Sequence, residues 1–264
     1  MSFKRIWTIF LRQFFLLKKS GYRIFGLFYW SALEMVLWGV ITLYILDVGG
    51  GQFNFMTFFI GAIIFWNFLI RIQHGITVSF LEDVWVRNFM HLFSSPLSFG
   101  EYILGLLLMS VFQTIIAIGF MMVLAWLLFA YNIFQFGLAM IPFVAVLFVF
   151  GWALGVLTIA IILRLGPSSD ILAWSIPALF MPLVGVFYPV STLPKFLQPV
   201  SWILPPTYVF EGLRGIVVSQ SFDSSQFVTA LMFAAVLLVL AYWISLRSYR
   251  WVLRTGRFTR FMTE

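Results

Sequence analysis

The sequence contains no cysteine, and only 9% of its 264 residues are charged. The first absence excludes a disulfide framework and thiolate metal sites, and says nothing about compartment. The second restricts the fold class. Soluble domains carry about 25% charged residues because their surfaces face water, so the surface of this chain is expected to face lipid. Histidine is scarce too: His74 and His91 are the only two, and no H-E-x-x-H is present, which argues against a metalloprotease site. There is no G-x-x-x-x-G-K-[ST] phosphate loop, so the chain does not bind ATP through one. The stretch Gly166-Pro167-Ser168-Ser169-Asp170 offers serines without the G-x-S-x-G elbow, and reads as a loop. Without internal repeats, low-complexity tracts or Pro/Ser-rich linkers, residues 1–264 read as one domain.

What is present is apolar. Hydrophobic residues make up 62% of the chain and aromatics 20%, including 33 Phe. A spanning helix needs about 20 predominantly apolar residues. Six segments meet that requirement: 24–46, 55–76, 102–130, 136–163, 171–190 and 227–246. The expected fold is an all-α membrane protein: an interfacial segment at 1–23, a six-helix transmembrane bundle at 24–246, and a basic tail at 247–264. The first 23 residues hold Lys4, Arg5, Arg12, Lys18, Lys19 and Arg23, which break up the apolar core that a cleavable signal peptide needs.

Basic residues set the orientation. With both termini cytoplasmic, the inner side receives those six together with Arg71, Arg87, Arg164, Arg247, Arg250, Arg254, Arg257 and Arg260. Only Lys195 and Arg214 fall outside. The net charge of +7 therefore reflects membrane orientation and not nucleic-acid binding. Both ends are amphipathic. Ile6, Trp7, Phe10, Phe14 and Leu17 recur at helical spacing beside the N-terminal cations, and the C-terminal arginines repeat every three or four positions. Such helices lie at a membrane surface with their cations near anionic headgroups; the N-terminal one is either a topology anchor or part of a gate.

The loops at 47–54 and 131–135 are short, which makes the helices they join antiparallel. Two connections are longer. The inner one, 77–101, carries Leu81, Trp85, Phe89 and Leu92 at helical spacing among Glu82, Asp83, Arg87, Asn88 and His91, and is stopped by Ser94-Ser95-Pro96. It is either a docking helix or an ordinary interfacial one. The outer one, 191–226, has two apolar pieces, 196–204 and 208–218, each about half a span long. Pro205-Pro206 separates them. They read as re-entrant half-helices lidding an internal pathway, with a surface loop as the alternative. Phe196, Leu197, Ile203 and Leu204 form the apolar face expected to close the exit, and Glu211 and Arg214 stand three apart on one face, placed to pair. Glu34 lies midway along the first span, in a pathway, interface or hydrogen-bonded structural role. Arg71 lies toward the inner end of the second, where snorkelling is the simpler reading. Asn67, Gln73, His74 and Gln113 are weaker polar points within the spans.

Two stretches carry a family resemblance. LEDVWVRNFMHLFSSPLSFGEYILG (81–105) resembles the coupling-helix region of ABC type-2 exporter permeases, in which acidic residues precede a short helix and a small residue plus proline leads into the third span. MPLVGVFYPVSTLPKFLQPVSWILPPTYVFEGLRG (181–215) looks like that family's Y/F-P-x-S-x-L-P turn, half-helices and closing E-G-x-R. The resemblance implies a permease without catalysis of its own, in a homodimer or heterodimer, the homodimer being favoured. Separate ABC ATPase subunits would carry ATP and Mg and drive export of a drug, lipid or lipid-linked glycan across the bacterial cytoplasmic membrane. By carry-over, 81–93 (Leu81, Glu82, Asp83, Trp85, Arg87, Asn88 and Phe89 above all) docks into the ATPase, and 191–218, including Pro205 and Pro206, forms the external gate. The sequence departs from many relatives where Val84-Trp85 follows Glu82-Asp83 in place of Gly-Thr, so the resemblance does not choose a substrate. Rival classes are a six-span enzyme acting on lipid and an ion channel. The first needs convergent acid, base or metal groups, and the second a filter.

Overall fold

The computed structural model describes residues 1–49, 53–219 and 224–256, and the described residues form helices joined by turns, with no strand. Among the described residues, five helices are long and apolar enough to cross a membrane: α2 (Gly21–Gly49), α3 (Phe53–Trp85), α5 (Phe99–Phe129), α6 (Met140–Leu165) and α10 (Ser224–Arg254). Shorter elements join them: α1 (Phe3–Lys19), α4 (Phe89–Ser94), α7 (Leu172–Phe180), α8 (Gln198–Ile203) and α9 (Pro205–Ser219). The chain is a multi-pass membrane protein.

Local chemistry sets the boundaries. Extended backbone at Ser20 separates α1 from α2. α5 opens on a capping box: Ser98 Oγ accepts from the Glu101 N–H, and the Ser98 N–H donates to Glu101 Oε2 at 2.9 Å. It closes on Ala130, left-handed, whose N–H returns to the carbonyls of Ala125 and Trp126. A 3-10 turn (Ile133–Ala139) then leads into α6.

The segment expected to be a fifth span is built differently. Residues 171–190 supply only the nine-residue α7, and 181–189 run as turns. Pro177 lies inside α7 and Pro182 and Pro189 follow it, while Gly185 takes φ +65, so a continuous helix is denied its amide donors and its geometry. At the second span the difference is one of length, because α3 continues past 76 to Trp85. Likewise α10 carries Arg247, Arg250 and Arg254 within one helix and not in a separate tail; Arg257 and Arg260 lie outside the described residues.

α3 and α6 form the centre. Phe65, Ile60, Ile64, Leu69, Phe150 and Phe210 are fully buried in a core shared with α5 and α9. A second cluster, around Ile72, Ile76, Phe80, Tyr102, Leu106 and Ile159, fills the end of the bundle that carries α1 and the last turns of α10. That end is called the basic end below, and the opposite one the far end. α2 and α10 lie at the periphery, with long exposed apolar faces that suit lipid or a second chain.

Candidate functional site: a basic-end elbow, a far-end clasp and a buried polar stripe

At the basic end, α1 lies across the bundle on Ile9, Gln13 and Leu17, one helical face. Gly105 of α5 permits the approach: a Cβ there would stand 2.5 Å from the Ile9 side chain. An aromatic row, Phe3, Trp7, Phe10 and Phe14, runs beside that face, and Phe14 meets Phe112 of α5 edge-on at 5.4 Å.

Three acids receive cations from α1 and the start of α2. Arg12 forks onto both oxygens of Asp83. Gln13 and the Tyr102 hydroxyl donate to the same carboxylate, the latter at 2.8 Å. Arg23 pairs with Glu82 at 2.8 Å, and Arg5 with Glu101 at 3.5 Å. Glu101 also accepts the Ser2 backbone N–H at 2.7 Å. Burial works against the Arg12 cation, but the hydrogen bond and charge of Asp83 more than offset it, so its pKa stands above the ordinary value.

This geometry revises the expected docking helix. Leu81, Glu82, Asp83 and Trp85 form the last turn of α3, because nothing in 77–85 interrupts it. Leu81 and Asp83 are buried, and Glu82 is half-buried against Arg23. The reversal comes at Val86-Arg87, with Arg87 at φ 57, and Asn88 precedes Phe89, the first residue of the six-residue α4. α4 is held to the bundle through Phe93, whose ring meets Tyr102 and Tyr249. What projects at the elbow is Trp85 (49% exposed), Val86 and Arg87. The expectation that the N-terminal cations face lipid headgroups also changes: Arg12 and Arg23 are half-buried in ion pairs within the chain, whereas Lys4, Lys18 and Lys19 are exposed, as is Arg5 despite its contact with Glu101.

At the far end, Glu211 and Arg214 do pair, at 2.9 Å, in an ion contact without hydrogen-bond geometry at Arg214 Nη1. Each also clasps the turn before α8. Arg214 Nη2 donates to the carbonyls of Gly185 and Tyr188, and Glu211 accepts the Val190 N–H at 2.7 Å. The guanidinium lies 4.8 Å from the Phe58 ring centroid. Gly185 is required here, since a Cβ would sit 2.7 Å from the Tyr188 carbonyl oxygen.

Pro205 and Pro206 do not lie between two half-helices. They form the first turn of α9, where a missing N–H costs nothing. The break falls at Leu204, extended at ψ 118, and is bridged by Thr207 Oγ1 to the Ser201 carbonyl and by the Tyr208 hydroxyl to the Trp202 carbonyl. The four residues expected to share an apolar face diverge: Phe196 and Ile203 are exposed, Leu197 is half-buried and Leu204 is buried.

Within the bundle, Arg71 is not near a helix end, because α3 runs on to Trp85, about 21 Å further along its axis. Glu34 of α2 acts on Arg71 electrostatically, without an ion pair between the two. Gln73 Nε2 donates toward Thr77, Thr158 and the Ala173 carbonyl, while its Oε1 is buried without a hydrogen-bond partner.

The family profile described as ABC-2 type transporter matches residues 4–218. The chain belongs to the ABC-2 type transporter family. No curated protein matches it. The match covers α1 to α9, and so includes both the basic-end elbow and the far-end clasp. As an ABC-2 family member the chain is the membrane component of an ABC transporter, a component generally not catalytic itself and associated with an ABC ATPase. Sequence reasoning found the motifs carrying both regions. It missed that Arg12 and Asp83 meet, for which the sequence offered only an amphipathic repeat and an isolated acid 71 residues apart.

Proposed function

We propose that this ABC-2 permease exports an amphiphilic or hydrophobic substrate, powered by ATP and Mg on separate ABC ATPase subunits. The elbow carries the reading. Trp85, Val86 and Arg87 project from a turn whose base is fixed by two ion pairs, Arg12–Asp83 and Arg23–Glu82, and by the Tyr102 hydroxyl on Asp83, so a push on the tip reaches α1, α2, α3 and α5 together. The basic end then faces the cytoplasm, both termini included, in keeping with the placement of all Lys and Arg except Lys195 and Arg214. In a bacterial cytoplasmic membrane, α7 with 181–190 makes a sixth, broken crossing. α8 and α9 re-enter from outside as the gate, steadied by the Glu211–Arg214 clasp. The exposed apolar face of α2 meets a second permease chain, a homodimer being the simplest arrangement.

The test is ATP hydrolysis. Tagged chain purified from its native membrane is expected to co-elute with ATPase activity that Trp85→Ala removes without loss of the permease from the membrane. A chain that elutes without any ATP hydrolysis overturns the reading.

A further inference from the structure

A cavity of about 280 Å³ lies at the far end, lined by α6, α8, α9 and the start of α10. Its walls are largely aromatic: Phe143 of α6, Trp202 of α8, Tyr208 of α9 and Phe227 of α10. Two of these rings are fixed in advance. The Tyr208 hydroxyl donates to the Trp202 carbonyl at 2.8 Å, and the ring centroids stand 5.2 Å apart, edge to face. Gly212 leaves bare backbone opposite Phe143, where a Cβ would meet the ring at 3.0 Å. Trp202 is 39% exposed and Gln226, which also lines the cavity, is exposed, so the space is reached from the surface.

Among the described lining residues Glu211 is the one that carries a charge, and it is partly exposed. Its two oxygens are used differently. Oε1 accepts the Val190 N–H and meets Arg214 Nη1, whereas no described residue donates to Oε2. Arg214 is engaged elsewhere: Nη2 donates to the Gly185 and Tyr188 carbonyls, the guanidinium lies over Phe58 of α3, and the residue does not line the cavity. A free carboxylate oxygen among aromatic faces suits a cation, because the ring quadrupoles and the acid attract it together. Glu211 would repel an anion, and an uncharged apolar guest would strip water from Oε2 and offer nothing in exchange.

We infer that this cavity binds an organic ammonium cation, with its charge toward Glu211 Oε2 and its alkyl groups against the aromatic walls. Glu211 also holds the turn before α8 through Val190, so the ligand shares a residue with the clasp. Only the consequence for gating rests on the exporter reading; binding itself needs no ATPase.

The experiment measures radiolabelled benzyltrimethylammonium bound by the purified full chain in a polyoxyethylene detergent, which carries neither ammonium nor sugar, above that bound by empty micelles. Glu211→Gln is expected to weaken binding by about tenfold or more, and Trp202→Leu by about threefold, with Trp202→Phe close to wild type. Arg214→Gln is expected to tighten it, since the opposing charge goes and the acid stays; damage to the clasp alone would weaken binding in both clasp variants. Neopentylbenzene, which has the probe's shape without its charge, should not displace it, and neither should benzenesulfonate. Displacement by neopentylbenzene as effective as by unlabelled probe would make this an apolar cavity, and displacement by methyl glucoside a hydroxyl site; either overturns the proposal. These competitions use the wild-type chain, so they decide the point even where Glu211→Gln folds poorly. Wild-type affinity in Glu211→Gln, binding in Arg214→Gln no tighter than wild type, or no binding above empty micelles also overturns it. ATP hydrolysis is not read here, so failure strikes the cavity alone, whereas failure of the co-elution test strikes the exporter reading.

Discussion

Asp83 is 1% exposed and accepts from Arg12, Gln13 and Tyr102. A buried carboxylate with three donors is a fixed point, and its worth is best seen when a partner goes. Removing one side of a buried pair costs about 3–5 kcal/mol because the other charge is stranded. Arg12→Ala is therefore expected to lower the melting temperature of the detergent-purified chain well below that of Lys18→Ala, whose side chain is exposed. Equal melting of the two would mean that the pair contributes nothing to stability. Trp85 is the opposite case. It is an exposed aromatic beside the buried Val84, so its removal should spare the fold and strike the partner. Aromatic anchors at interfaces cost about 2 kcal/mol or more when truncated, and retention of the ATPase after Trp85→Ala should fall accordingly, with an unchanged permease melting curve.

Among the elements, α8 and α9 test the gate. Because Pro205 and Pro206 occupy the first turn of α9, replacing both with Ala leaves the N-terminus of that helix intact and allows α8 to run into it, since Leu204 is the only extended residue between them. The expected outcome is disturbed transport with normal expression and normal ATPase retention; unchanged transport would make the hairpin a surface loop. Arg214→Gln should act more strongly, since it releases the Gly185 and Tyr188 carbonyls together and leaves Glu211 unpaired. Most of these elements were legible in the sequence. The apolar runs gave α2, α5 and α6 to within a few residues and the start of α10, which continues eight residues past the end of its run, and E-G-x-R announced the Glu211–Arg214 pair. Where the reading differed, the reason is local. The charges Glu82 and Asp83 read as a helix surface leaving the membrane, whereas Arg12 and Arg23, distant in sequence but at the same end of the bundle, neutralise them and let α3 continue. Prolines 177, 182 and 189 are spaced too widely to disqualify a hydropathy window, yet together they break a span.

For the whole molecule, orientation and stoichiometry are the open quantities. The chain has no cysteine, so single introduced cysteines report cleanly. Ser168, exposed in the turn at the basic end, should label with an impermeant reagent only after permeabilisation, and Val200, exposed on α8, should label in intact cells. Ser245 is buried on α10 and is no use as a reporter. Of the positions expected outside, 49–51 and 221–225, residues 50, 51 and 221–223 lie outside the described residues. The central claim is that the elbow tip meets the ATPase, and a cross-link tests it most directly. With Cys at position 87 as the only thiol of the permease, a short thiol-to-amine cross-linker should join it to the ATPase subunit in native membranes, in a yield that changes when ATP is added. Cys at position 200, at the far end, should give none. An elbow that never cross-links, or that does so no more than position 200, contradicts the account.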